Sequence, residues 1–320
     1  MEFVVLYCNK NQYQMFEEFV FRHSPVDYSK VEILVYDDNS TLDQKQLLEQ
    51  LCLKYDNIKW INPEVNSNSQ APIFSAFNAA DKYLLENNYT ANWILFFEND
   101  CFPFQENFWS ELSNTINKYD WLERKVGLFG FSNFQQYNQG EPVYSSGNPV
   151  PGRGNLLNGI LQPPYSGWYQ NLSTEYYETD YFVVEVPNWQ SVCINRKLFR
   201  EIISIDVKYK GRLLNTDDMA HQFMLNNIFN ICFPRLFVYH DSGELKNRVN
   251  LINDANYSRS DNVHDVFETR WGWRWGKRNM HLRNQFKNVL DNSDFYDNTI
   301  QEKLFNMHIN DGPKKIEDFE

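Results

Sequence analysis

The 320-residue chain has no CxxC pair. Its five cysteines, Cys8, Cys52, Cys101, Cys193 and Cys232, stand apart and are odd in number. That is the usage of reduced thiols, and it speaks against a zinc site or a disulfide framework. The chain also lacks a basic surplus: 30 Lys and Arg face 42 Asp and Glu, for a net charge of −12. General nucleic-acid binding is therefore not expected, because neutralising phosphates takes clustered cations. A diphosphate ligand would have to bring a metal cation with it. No apolar window approaches the roughly 20 residues of a membrane span. The amino terminus runs directly into Phe3-Val4-Val5-Leu6 with no basic segment before it, so neither a signal peptide nor a transmembrane segment is expected, and the location read from this is cytoplasmic. After that first apolar run, Cys8-Asn9-Lys10-Asn11 carries no glycine, which disfavours a glycine-rich phosphate loop and with it a nucleotidyltransferase.

What the chain has in quantity is aromatic side chains, 17% of residues, with nine Trp and nineteen Tyr. This exceeds what core filling ordinarily requires and places some rings at a binding surface, of a kind that sugars favour. Phe3 to Tyr7 and Val31 to Tyr36 read as buried strands, with an amphipathic helix around Phe16, Phe19, Val20 and Phe21 between them. Leu42 to Tyr55 reads as a helix and Ile58 to Ile61 as a short strand. Ala71 to Glu86 forms a third helix, stopped by Asn87-Asn88. Ile94 to Phe97, Phe108 to Ile116 and Val126 to Phe131 continue the alternation as strand, helix and strand. The expected architecture is α/β, a mostly parallel central sheet flanked by helices. From Ser132 to Asn188 the composition turns to Gly, Pro, Asn and Tyr, reading as a long ordered loop or lid. A strand at Ser191 to Ile194, a helix from Arg196, a helix over Asp218 to Asn226 and a strand Leu236 to Tyr239 follow. A polar tail then carries the cluster Arg270-Trp271-Gly272-Trp273-Arg274-Trp275.

Acidic residues recur where strands end. Asp37-Asp38-Asn39-Ser40 ends the second strand, where a carboxylate can accept hydrogen bonds from a base or ribose; an Asx turn capping the next helix explains the same residues equally well. Glu98-Asn99-Asp100 follows five apolar residues, and in an extended segment Glu98 and Asp100 face one ligand. Hard divalent ions take one or two such carboxylates, with phosphate oxygens and water completing the shell. Asp217-Asp218 sits at a helix start, fit either to cap it or to serve as a general base. Asp100 and Asp218 are both expected to face solvent. His240 ends the last apolar run.

In order and spacing these pieces resemble the nucleotide-sugar glycosyltransferases of the GT-A fold, in particular the inverting family-2-like group. The resemblance covers residues 1–245 and leaves 246–320 as a C-terminal extension packing on the core. It implies a Rossmann-like GT-A domain with a nucleotide-sugar half (1–131) and an acceptor-binding half (132–245). It further implies that Tyr7, Asn9, Asp38 and Asn78 belong to the donor site, with Glu98 or Asn99 at the ribose. Asp100, with His240, would bind Mn²⁺ or Mg²⁺. Asp218, or Asp217 in its stead, would take the acceptor proton. Phe97-Glu98-Asn99-Asp100 stands in the DxD place with Glu for the first Asp, and Asp-Asp replaces the common Glu-Asp. Trp189-Gln190 lies where related enzymes contact acceptor, and Trp168 and Tyr169 are candidates to stack on sugar rings. The implied partners are a UDP or GDP sugar and a carbohydrate acceptor, in a hexosyl- or pentosyltransferase. A non-catalytic carbohydrate-binding protein on the same scaffold is the rival outside enzymology. For the Trp/Arg cluster, packing on the core through cation–π contacts is preferred over contact with an anionic membrane face.

Overall fold

The computed structural model describes residues 2–63, 72–103, 105–135, 155–157, 160–161, 180–187, 190–206, 208–209, 215–240 and 263–271. Its strands are β1 (Phe3–Asn9), β2 (Ile33–Asp37), β3 (Ile58–Trp60), β4 (Trp93–Phe97), β5 (Cys101–Pro103), β6 (Val126–Gln135), β7 (Asn155–Leu157), β8 (Ile160–Leu161), β9 (Phe182–Val186), β10 (Ser191–Asn195) and β11 (Phe229–His240). The α-helices are α1 (Tyr13–Glu17), α2 (Leu42–Lys54), α3 (Pro72–Glu86), α4 (Phe108–Lys118), α5 (Leu122–Lys125), α6 (Arg196–Ile202), α7 (Asn215–Leu225) and α8 (Val263–Trp271).

Every residue of β1, β2, β4 and β10 is buried, as near-continuous apolar runs require when a sheet is covered on both faces. The two-residue period of a strand divides these side chains between two cores. Phe3, Val5, Tyr7, Leu95 and Phe97 point to the side packed by α1, α2 and α4. Val4, Leu6, Cys8, Ile94 and Phe96 point to the side packed by α3, α6, α7 and α8. The stop at Asn87-Asn88 is realised as a left-handed turn: Asn88 has φ 56, and the Tyr89 N–H returns to the Leu84 carbonyl at 2.9 Å, closing the last turn of α3.

The sheet runs β3-β2-β1-β4-β10-β6-β11-β9-β8, with β5 paired to β11 and β7 to β6. The α/β expectation holds, but the sheet is mixed rather than mostly parallel. Parallel pairing joins β3, β2, β1 and β4, and again β6 with β11. β10 is antiparallel to both its neighbours, and β5, β7, β8 and β9 pair antiparallel as well. The difference has two sources: β5 and β10 run against their neighbours, and the stretch between Ser132 and Asn188, expected to be loop, supplies the three short antiparallel strands β7, β8 and β9.

One close approach fixes α7 on the sheet. At Gly127 in β6 an added Cβ would lie 2.3 Å from Cγ of Phe223, so the absence of a side chain lets the α7 ring reach the strand. Gly127→Ala forces ring or helix to move, and overpacking of this kind costs on the order of 1–3 kcal/mol. Urea unfolding is expected to show that loss as a lower midpoint with an unchanged slope.

Candidate functional site

From β1 the strand order proceeds one way to β2 and β3 and the other way to β4. The carboxyl ends of β1 and β4 therefore flank a point where the connections diverge, the place where open α/β sheets leave a crevice for ligands. Asn9 ends β1, opposite Asp37 at the end of β2, while Glu98 follows the last residue of β4. Across the divide Asn99 Nδ2 donates to Asn9 Oδ1 at 3.3 Å and also to Gln12 Oε1. The Asp38 N–H donates to the Asn9 carbonyl at 2.8 Å. Asn9, Asp38 and Asn99 thus come together, as the sequence led one to expect, with Gln12 as an unforeseen member.

The two aspartates of the β2 turn do different things. Asp37 is fully engaged: its carboxylate accepts from Tyr13 Oη at 2.6 Å and from the Ser40 N–H at 3.1 Å, with Lys45 Nζ at 3.8 Å. Asn62 clasps its backbone at 2.9 and 2.8 Å. Burial, and then the Asp37 charge, hold the Tyr13 phenol well above its ordinary range, so it stays a donor. The Asx-turn reading is thus right for Asp37, with Asn39 at φ 60 completing the turn. Asp38 is buried as well, beside Asn9, to whose carbonyl its amide donates.

Glu98-Asn99-Asp100 is a turn and not an extended segment, closed by the Cys101 N–H on the Glu98 carbonyl at 2.9 Å. The alternation argument for Glu98 and Asp100 therefore fails, yet the turn still gathers them: ligand atoms of Glu98, Asp100 and Cys101 lie within 4.8 Å of one another. Three ties hold it. Glu98 N–H donates to the Gln190 carbonyl at 3.0 Å, Tyr7 Oη donates to the Cys101 carbonyl at 3.4 Å, and β5 pairs with β11 so that Cys101 faces position 240. Two carboxylates suit an oxygen-preferring ion such as Mn²⁺ or Mg²⁺, and the thiol is not needed for it.

Asp217 and Asp218 open α7, both buried. The expectation that Asp100 and Asp218 face solvent is overturned: their exposures are 7% and 0%. In Asp218, Oδ1 accepts from Tyr209 Oη at 3.2 Å and Trp271 Nε1 at 2.7 Å and pairs with Arg270 Nε at 3.2 Å. Oδ2 accepts from Gln222 Nε2 at 2.8 Å. Burial pushes the Asp218 carboxyl up, opposed by Arg270, Trp271 and Gln222. The same burial lifts the Tyr209 phenol far above its ordinary value.

The remaining candidates are scattered. Tyr7 is wholly buried, sharing a 3.1 Å hydrogen bond with Tyr28, so it supports the acidic turn from below. Asn78 lies on the exposed side of α3, away from the hydrogen bonds just described. Gln190 sits against Glu98. Trp168, Tyr169 and Trp189 lie outside the described residues. Sequence reasoning missed Gln12, Asn62, Cys101 and Tyr209, none of which belongs to a motif. It did single out Arg270 and Trp271, whose packing on the core is observed.

No family model matches the chain, and no curated protein matches it in sequence. Among solved structures, GalNAc-T7 with UDP, GalNAc and Mn²⁺ superimposes with a TM-score of 0.54 at 15% identity, over 97% of this chain and 57% of that one. The fold is of the GT-A type. Two looser likenesses are the mannosyltransferase PcManGT from Pyrobaculum calidifontis in complex with GDP-Man and Mn²⁺ (0.48, 12% identity, 97% and 79% covered) and S. aureus TarS 1-349 in complex with UDP-GlcNAc (0.47, 13%, 97% and 73%). At such identities the likeness concerns the fold alone. In this GT-A frame, no helix among the described residues is long and apolar enough to cross a membrane.

Beside the acidic pair, burial holds the His221 imidazole below its ordinary 6.5, opposed by the Asp217 carbonyl 2.5 Å from Nδ1 and by the two carboxylates. A depressed imidazole binds its proton more readily once the chain unfolds, so stability falls as pH drops through 6.5 towards the folded-state value. Urea midpoints measured between about pH 7.5 and 5.5 are expected to fall with pH in the natural chain and less steeply in His221→Asn.

Proposed function

We propose that the chain is a metal-dependent glycosyltransferase that moves a sugar from a nucleoside-diphosphate donor, UDP or GDP, to a carbohydrate hydroxyl with inversion. The observation that carries this reading is the convergence of Asn9, Asp38 and Asn99 with the carboxylates of Glu98 and Asp100 at the β1/β4 divide of a GT-A fold.

Asp38 and Asn9 take the base and ribose edge of the donor, since they stand together at the carboxyl ends of β1 and β2 with no cationic cradle. Glu98 and Asp100 hold Mn²⁺ or Mg²⁺, with position 240 across the strand pair from Cys101 as a further candidate. When bound, the ion offsets the charge that develops on the departing diphosphate. The acceptor oxygen bonds to the anomeric carbon as the bond from that carbon to the diphosphate oxygen breaks, and the hydroxyl proton passes to a carboxylate of the α7 pair. Asp218 is assigned this role because its carboxylate is held in one orientation by Tyr209, Gln222, Arg270 and Trp271. Gln190, whose carbonyl receives the Glu98 amide, is assigned to the acceptor side.

The test is thermal. A ligand that binds only the folded chain at about 100 times its Kd stabilises it by about 2.7 kcal/mol. UDP or GDP sugars with Mn²⁺ are expected to raise the melting temperature. Asp100→Ala is expected to lose the metal-dependent part of that rise while melting normally without ligand. No rise with any nucleotide, with or without Mn²⁺, would leave a carbohydrate-binding protein on this scaffold as the better account.

A further inference from the structure

Asp218 is gripped from three parts of the chain. Gln222 comes from its own helix, Tyr209 from the segment before it, and Arg270 with Trp271 from α8, some fifty residues later in the chain. A carboxylate offers about four lone-pair sites. Among the described residues three donors crowd Oδ1 and one occupies Oδ2, which leaves one direction on Oδ2 for an incoming proton. The grip is itself braced. Arg270 Nη2 donates to the Ser204 carbonyl at 2.9 Å, Gln222 Nε2 donates to the same carbonyl at 3.1 Å, and the Ser204 N–H donates to Gln222 Oε1 at 2.7 Å. α8 is seated by Phe267, fully buried in the core, and by the Trp271 ring 5.3 Å from that of His221.

We propose that Arg270 and Trp271 are positioning residues for the base: α8 seals Asp218 from water and supplies the charge and the N–H that keep it ionised and in one orientation. The proposal rests on the glycosyltransferase reading only for the word base; the electrostatic coupling stands without it. Water exclusion alone would neutralise a buried carboxyl. Among the described residues the titratable and charged groups acting on Asp218 are Arg270 from α8, Tyr209, and His221 from α7, and of these Arg270 brings the permanent positive charge that opposes burial. A chain without α8's two residues would keep an acid at this position and lose the base.

The experiment is a carboxyl titration of Asp218 by ¹³C NMR in the full chain, its resonance assigned by loss in Asp218→Asn, compared among the natural sequence, Arg270→Met, Arg270→Lys and Trp271→Phe. Removal of a neighbouring cation is expected to raise the midpoint by about one pH unit or more in Arg270→Met, with a smaller rise in Trp271→Phe and little change in Arg270→Lys. The acid limb of the pH profile of kcat for transfer is expected to move with the midpoint, while KM for the donor stays put. Equal midpoints in all four chains overturn the proposal whether or not any nucleotide binds. A midpoint that moves while the acid limb stays put overturns the positioning role. Failure of the natural chain to bind a nucleotide with Mn²⁺ would sink the glycosyltransferase reading instead, and would leave the midpoint comparison standing. Trp271→Phe keeps the ring and Arg270→Lys the charge, so at least these two are expected to fold.

Discussion

The parallel pairing of β1 with β2 on one side and β4 on the other is the constraint from which the rest follows. A strand flanked in this way forces the chain to leave its carboxyl end in two directions, and the gap that results cannot be filled by either connection. Backbone and side-chain polar groups at that edge must find partners or water, and here they find each other: Asn9 receives both the Asp38 amide and the Asn99 amide group. The crevice is thus a by-product of sheet topology, and its lining is decided by which residues end the strands.

In a chain with a net charge of −12, bringing carboxylates together is costly unless each has its own arrangement. Asp37 is satisfied internally by a phenol, an amide and a lysine. Asp218 is satisfied by an arginine and three neutral donors. Glu98 and Asp100 share a turn whose backbone is pinned while their oxygens stay near one another, the arrangement that invites a cation. Three solutions to one electrostatic difficulty occur within a single sheet edge and the helix behind it.

The fold was legible where apolar runs were long enough to show their period: the strands expected at Phe3 to Tyr7, Val31 to Tyr36 and Ile94 to Phe97 and the helix expected at Ala71 to Glu86 are found as β1, β2, β4 and α3, with ends shifted by at most two residues. It was illegible where strands are very short, as with Cys101–Pro103 and Ile160–Leu161, because two or three residues carry no period and pairing across the sheet decides their state. At the site, acids at strand ends could be read off the sequence, but which acid is spent on structure could not. Asp37 and Asp38 are adjacent and chemically identical; only Tyr13, Asn62 and Lys45, distant in sequence, tell them apart. Asp218 was mistaken for a surface residue because helix-start acids usually are exposed, and its burial depends on a helix some fifty residues away. Tyr7 was assigned to a pocket wall, whereas the strand register sends its ring into the core.

β10 enters the sheet between β4 and β6, antiparallel to both, and the carbonyl of Gln190 just before it receives the Glu98 amide. The residues that would hold a nucleotide are therefore finished by a strand from later in the chain. A shortened protein ending near residue 135 would keep every donor-side residue and yet expose the whole edge of β4, an apolar strand with unpaired amides of the kind that recruits other chains. The two halves of this sheet are thus not separable modules: the first is completed only by a strand of the second.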